Sequence, residues 1–158
     1  MQVPILETER LTLRPIVSQD LDDLLPFSYF DGKPITTREG ITEKLTRIAA
    51  EIAAGNALHW GMELKSSKKL IGAAGFYRGF PNKTGEIGYA MNPDFEKQGF
   101  MREAVTAIIN YGFTSLNLDQ IIAYTKENNP ASIKVLQHTG FQETVSDLTI
   151  YKKFIIHR

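Results

Sequence analysis

The chain has 158 residues, 42% apolar and 23% charged, enough for one substantial core, so a single domain over residues 1–158 is expected. Its 18 basic and 18 acidic residues cancel, which leaves no broad positive field for a polyanion and argues against nucleic acid as a partner. Cysteine is absent, the three histidines are scattered without a metal-ligand spacing, and no stretch reaches the roughly 20 apolar residues of a membrane span; the expectation is a cytoplasmic protein with no metal, disulfide or membrane anchor.

In chain order, Arg10 to Arg14 alternates strictly and stops at Pro15, a first strand with Leu11 and Leu13 inward. A short helix follows, capped by Ser18, with Asp20, Asp22 and Asp23 at the positive end of its dipole and Pro26 disturbing its end. Thr36 and Glu39 suit a capping box for a second helix, whose Ile41, Leu45, Ile48 and Ile52 share a face before Gly55. Leu58 to Leu64, Leu70 to Tyr77 and Glu86 to Met91 read as three strands of a meander joined by polar turns.

The period then changes from about two to about 3.6, with Val105, Ile108, Ile109, Gly112, Phe113 and Leu116 on one helical face. Ile121 to Thr125 is a short β-branched strand expected to be buried on both faces. Asn129-Pro130 starts a last helix that Gly140 stops, and the strands from Phe141 and over Ile150 to Ile156 close the chain. The order predicts a mixed α/β sheet around a strand-helix-strand unit. The terminal strands are a candidate edge for pairing between subunits.

Three features carry chemistry. A helix opening at Gly99 presents unpaired N–H groups and a positive dipole end, which suits a pyrophosphate; Gly99 also lets the backbone come close. In the strand, Glu86, Gly88 and Ala90 share one face, a carboxylate beside two tiny side chains, and a carboxylate can take the proton that keeps an amine from attacking. Ser132 lies one turn inside a helix already capped by Asn129, which leaves its hydroxyl for a ligand, although a helix-start serine can also bond its own backbone.

Glu7-Thr8-Glu9-Arg10-Leu11-Thr12-Leu13-Arg14-Pro15, Leu70-Ile71-Gly72, Glu86-Ile87-Gly88-Tyr89, Gln98-Gly99-Phe100 with Glu103-Ala104, and Asn129-Pro130-Ala131-Ser132 leading to Gly140-Phe141 stand in an order and spacing that together resemble one family. It is the GNAT superfamily of acetyl-CoA-dependent N-acetyltransferases, in its RimJ/RimL-like branch that acetylates ribosomal-protein N-termini, and the resemblance spans nearly the whole chain.

That resemblance implies a GNAT-type mixed, largely antiparallel sheet of about seven strands flanked by four helices. It also implies direct acetyl transfer from acetyl-CoA to a primary amine, a protein N-terminus or a small molecule, in a ternary complex formed by a monomer or homodimer. Glu86 would be the general base. The amides of Gln98, Gly99, Phe100, Met101 and Arg102, with charge from Lys97 or Arg102, would hold the pyrophosphate. A backbone N–H near Met91 or Asn92 would meet the oxyanion, and Asn129 and Ser132 would steady pantetheine and thiolate.

The family builds its acceptor site where Tyr29, Phe30 and Arg38 lie; Trp60 and Phe76 either line that groove or fill the core, and His59 is expected at or near the surface. The chain departs from the family pattern at Glu96 and Met101, expected to add a negative charge and to narrow the approach to the phosphates. It departs again at Leu136, where many members carry an acidic tyrosine. The alternative these departures raise is a non-catalytic module of the same fold that binds CoA or a small ligand.

Overall fold

The computed structural model describes residues 1–158. Strand β1 (Leu6–Glu7) turns into β2 (Leu11–Arg14), and a 3-10 turn at Ser18–Asp20 leads into helix α1 (Leu21–Leu24). A small hairpin, β3 (Tyr29–Phe30) and β4 (Lys33–Pro34), precedes α2 (Arg38–Ala53). The meander β5 (Leu58–Leu64), β6 (Leu70–Tyr77) and β7 (Thr84–Met91) is followed by α3 (Phe100–Thr114), β8 (Gln120–Lys126), α4 (Pro130–His138), β9 (Gln142–Thr144) and β10 (Tyr151–His157).

Eight strands form one sheet in the order β1-β2-β5-β6-β7-β8-β10-β9, every pair antiparallel except β7 with β8. The mixed α/β expectation therefore holds, with one more strand than about seven because Leu6–Glu7 adds an outer strand to β2. The carboxyl-terminal strand is not an edge. β10 lies between β8 and β9, so the exposed edge is the short β9.

Alternation divides the central strands cleanly. Leu58, Trp60, Met62, Phe76, Ile87, Ile121 and Ala123 join α3 and α4 in the main core, while Leu24, Phe27, Ile41 and Leu70 pack under α1 and α2 on the other side. β8 is covered on one face only: Ile121, Ala123 and Thr125 are buried, while Ile122 and Tyr124 are half-buried because α1 and α2 do not reach that far across the sheet.

Two helix starts differ from the sequence reading. Thr37, not Thr36, caps α2 by accepting the Gly40 N–H at 3.1 Å. Ser18 caps nothing; Asp20 instead accepts the Val17 N–H at 2.8 Å and pairs through both oxygens with Arg14, which also meets Glu63 at 2.7 Å. A sequence window sees acids near a helix start but not the arginine six residues earlier that claims one of them. Asp23 accepts the Leu70 N–H at 3.0 Å and thereby ties α1 to β6.

The tightest packing in the sheet is at Gly75, where a Cβ would come within 2.1 Å of the Leu58 carbonyl oxygen, an atom of the backbone that cannot turn away. At Gly61 the corresponding obstacle is the flexible end of Leu70. Gly75→Ala is therefore expected to lower stability by about 2–3 kcal/mol and Gly61→Ala by clearly less, read from urea unfolding midpoints.

Candidate active site

The parallel pairing of β7 with β8 covers only Thr84↔Gln120, Gly85↔Ile121 and Glu86↔Ile122, yet β7 runs on to Met91 and β8 to Lys126. The two strands separate beyond Glu86 and leave a gap in the sheet. Across β6, the Asn92 N–H donates to the Ile71 carbonyl at 2.9 Å, and antiparallel ladders alternate, so Met91 and Tyr89 direct their N–H and C=O groups away from β6 and into the gap. Of the two expected oxyanion donors, only Met91 has a free amide. The Asn92 side chain is committed as well, accepting the Asp94 N–H at 3.0 Å.

Beyond the gap, Lys97 and Gly99 both take the left-handed conformation, with φ of 61° and 82°, and α3 begins directly after them. No side chain caps this helix, so the N–H groups of Phe100, Met101 and Arg102 have no partner within it and face outward along its axis. Arg10 braces the turn: it donates to the Gln98 carbonyl at 2.9 Å and to Glu103 at 2.8 Å, and its guanidinium lies 4.2 Å over the Phe100 ring. Met101 does not narrow the approach, because its side chain is 5% exposed and packs into the main core. Glu96, Lys97, Gln98 and Arg102 are exposed. A broad groove of about 920 Å³ also touches Gly99, but it follows the flank of α3 toward β1, away from the gap.

α4 starts beside the gap. Asn129 accepts the Ser132 N–H at 3.2 Å, as its capping role requires, and the Ser132 hydroxyl lies 3.0 Å from the Tyr89 hydroxyl, which is also 3.2 Å from the Ser132 carbonyl. Tyr89 escaped the sequence reading as a site residue, although strand alternation already put it on the α4 side, opposite Glu86. Burial pushes its hydroxyl up to about 12, against the pull of its bond to Ser132. Leu136 is fully buried in the core.

On the other face, the Glu86 side chain is 23% exposed and 3.7 Å from Arg78. Burial raises its pKa, Arg78 and Lys153 pull it down, and Asp147 pushes it up, with a net rise. The space over Gly88 is not empty: the Tyr77 ring stands 3.1 Å from where a Cβ would be. Beside it is a cavity of about 180 Å³ walled by α1, α2 and the sheet, which Lys44, His59 and Tyr77 line together with Gly88 and Ala90.

The expected acceptor residues divide. Trp60 and Phe76 are fully buried on the opposite, α3 side, where the Trp60 Nε1 donates to the Pro4 carbonyl at 2.7 Å and Phe76 packs against Phe80; alternation from Leu58 put them there. Tyr29, Phe30 and Arg38 are exposed around the β3–β4 hairpin, Phe30 under the Arg47 guanidinium at 4.2 Å and Arg38 beside Asp22, and none lines the cavity. His59, expected near the surface, is buried at 8% exposure.

Residues 10–142 match the family model described as an acetyltransferase (GNAT) domain. The uncharacterized N-acetyltransferase YoaA of Bacillus subtilis (strain 168) is 34% identical over 150 residues, covering 89% of this chain and 84% of that protein. Among solved structures, a Vibrio cholerae protein assigned as a ribosomal-protein-serine acetyltransferase superposes with a TM-score of 0.87 at 17% identity, over 99% of this chain and 100% of that one. Mycobacterium smegmatis RimJ, solved with CoA-disulfide, gives 0.82 at 19% identity, over 98% and 87%. At such identities the two structures establish the fold.

His59 makes the protein's stability depend on pH. Burial, and then the charge of Lys44, hold its imidazole down to about 4, against about 6.5 in the unfolded chain. Between those values the unfolded chain binds a proton that the native state refuses, so stability falls as pH drops through this window and is unaffected above it. The expected loss from pH 7 to pH 4.5 is on the order of 2–3 kcal/mol greater than in His59→Gln, measured by urea unfolding at both pH values.

Proposed function

The chain belongs to the GNAT acetyltransferase family and is an acyltransferase; from that premise we propose that it moves the acetyl group of acetyl-CoA to a primary amine by direct attack in a ternary complex. The observation that carries this reading is the gap between β7 and β8, which has the uncapped start of α3 at one end and the Tyr89–Ser132 pair on its α4 side. A pantetheine arm lying in the gap would bond the free backbone groups of Tyr89 and Met91, while the pyrophosphate would be held by the amides of Phe100, Met101 and Arg102 with Gly99 allowing close approach.

In this reading the Met91 N–H meets the thioester oxygen as negative charge grows on it. An amine with a pKa near 10 is protonated at neutral pH, and freeing its lone pair costs about 4 kcal/mol. Glu86, with its pKa raised by burial, takes that proton directly or through water. The amine nitrogen bonds to the acetyl carbon, the carbon–sulfur bond breaks with its electron pair leaving on the CoA sulfur, and the second proton that the nitrogen sheds neutralises that thiolate through solvent. Ser132 donates to that sulfur while Tyr89 donates to the Ser132 oxygen, so the hydroxyl that Leu136 cannot offer from α4 comes instead from β7.

Three outcomes are expected. Calorimetric titration gives saturable acetyl-CoA binding that weakens at least ~10-fold in Gly99→Val, which forces a branched side chain into a left-handed φ. Glu86→Gln lowers kcat/KM by ~10²–10³-fold and removes an acid limb that lies above the ordinary carboxylate range; wild-type turnover in this variant takes Glu86 out of the mechanism. Ser132→Ala and Tyr89→Phe each slow thiol release by about 10-fold, and the double variant is no slower than the worse single one, since the two hydroxyls act as a unit.

A further inference from the structure

On the α1–α2 side of the sheet, Gly61, Ala73, Gly75, Gly88 and Ala90 form a floor of very small side chains across β5, β6 and β7, in register with one another. Leu70 and Ile16 fill the space over Gly61, and what remains over Ala73, Gly88 and Ala90 is the cavity of about 180 Å³. For scale, an apolar cavity of about 150 Å³ accommodates benzene. The walls are mostly apolar, with Leu24, Phe27 and Ile41 among them.

Four polar side chains interrupt this lining: the Ser28 hydroxyl donates to the Leu24 carbonyl at 2.8 Å, and the other three have no hydrogen-bond partner in the protein. His59 is 8% exposed and neutral, and no hydrogen bond reaches its ring. The Tyr77 hydroxyl is shifted upward by burial alone, with no bonded neighbour. Lys44 is more than half-buried, and burial is the only influence on its ammonium group: no carboxylate stands beside it. No buried side-chain nitrogen or oxygen in the protein lacks both a partner and access, so these three groups open onto the cavity and are not sealed in the core. The cavity lining contains no Asp or Glu; Glu86, two residues before Gly88 on the same face of β7, lies outside it beside Arg78, and Glu63 is committed to Arg14 and Lys68.

We propose that this cavity is the acceptor pocket and that its substrate is a compact, apolar amine bearing a carboxylate, held by Lys44, with the amine directed past the Tyr77 ring and Ala90 toward the gap. The inference rests on the acetyl-transfer reading and narrows it. An apolar pocket with a few convergent polar groups is the usual form of a small-molecule site, and an unpaired cation in it selects an anion. His59 and Tyr77 add a neutral acceptor and a donor to hold the second carboxylate oxygen or the amine. With Glu86 taken up by the reacting amine, a polyamine would bring a further ammonium against Lys44 with no acid in the lining to receive it, which disfavours that class by repulsion.

The test uses apolar α-, β- and γ-amino acids, each paired with its own carboxamide, alongside spermidine and an alanyl peptide. With CoA present, binding is read from the ring resonances of His59, and turnover is read from thiol release with acetyl-CoA. At least one amino acid is expected to shift His59 saturably and to be acetylated at least ~10-fold more efficiently than its carboxamide. Lys44→Met, which keeps the apolar stem, is expected to remove that preference while leaving acetyl-CoA affinity unchanged, and Lys44→Arg to retain part of it. The proposal is overturned if no amino acid shifts His59, if carboxamide, spermidine or peptide is preferred, or if Lys44→Met keeps the preference. Acetylation of spermidine or peptide without any amino-acid shift at His59 would leave the acetyl-transfer reading standing and remove only this one. A His59 shift with no thiol release from any amine would overturn both readings and leave only a carboxylate-binding cavity.

Discussion

The parallel pairing of β7 with β8 ends after Glu86↔Ile122, and nearly everything functional depends on that limit. Each strand remains fully supported on its far side, β7 by β6 as far as Met91 and β8 by β10 along its whole length, so the two can diverge without loosening the sheet. What divergence exposes is a short run of strand-edge N–H and C=O groups in the middle of the molecule, where a ligand can bond them as another strand would. The alternation of β7 then sorts the chemistry. Tyr89 and Met91 share the side of α3 and α4, with the helix start and Ser132, while Glu86, Gly88 and Ala90 face the side of α1 and α2 and its cavity. In the proposed reaction one strand would thus serve the acetyl donor from one face and the acceptor from the other.

The start of α3 is held in shape by residues almost a hundred positions earlier. Glu103 accepts from the Thr8 hydroxyl at 2.5 Å, from the Arg10 N–H at 2.7 Å and from the Arg10 side chain at 2.8 Å, and Arg10 also fixes the Gln98 carbonyl. The carboxylate sits within the first helical turn, where the dipole favours it, and its bonds hold its pKa low despite partial burial. Because Arg10 is bound to the Gln98 carbonyl, that carbonyl points away from the turn's mouth, and the amides that follow remain available. The segments from Glu7 to Arg14 and around Glu103 stood out separately in the sequence. In the fold they are two halves of one brace.

How much could be read from the chain alone follows from the range of each signal. Strand alternation and the change of period at Phe100 are local, so the meander, the helices, the inward face of β2 and the two faces of β7 were legible, as were Gly99 and the Asn129 cap. The hairpin over Tyr29 to Pro34 and the outer strand at Leu6–Glu7 are too short to show a period. Which of Met91 and Asn92 has a free amide is decided by the backbone bond from Asn92 to Ile71, and that bond depends on ladder phase, which the sequence does not show. Met101 was misjudged because its role turns on which way a first-turn side chain points. Tyr89 and Ser132 are 43 residues apart in sequence, and only the gap brings their hydroxyls together.

Lys44 carries the most weight among the charged groups because the others are accounted for. Arg14 is enclosed by Asp20 and Glu63, Arg10 by Glu103 and Gln98, and Glu86 has Arg78 nearby. Partial burial of a charge is unfavourable unless something opposes it, and a chain with 18 acidic residues had ample means to set one beside α2. Instead, the helix presents Ile41 and Leu45 on either side of an unpaired ammonium, over a floor of Ala73, Gly88 and Ala90, next to an imidazole that burial, and then the same charge, keeps neutral. Each of these choices weakens the fold slightly when the cavity is empty, and local costs of this kind concentrate at functional sites. The simplest way for all of them to be offset together is a bound anion of limited size, and in the proposed pocket the same residues that lower stability would specify what it accepts.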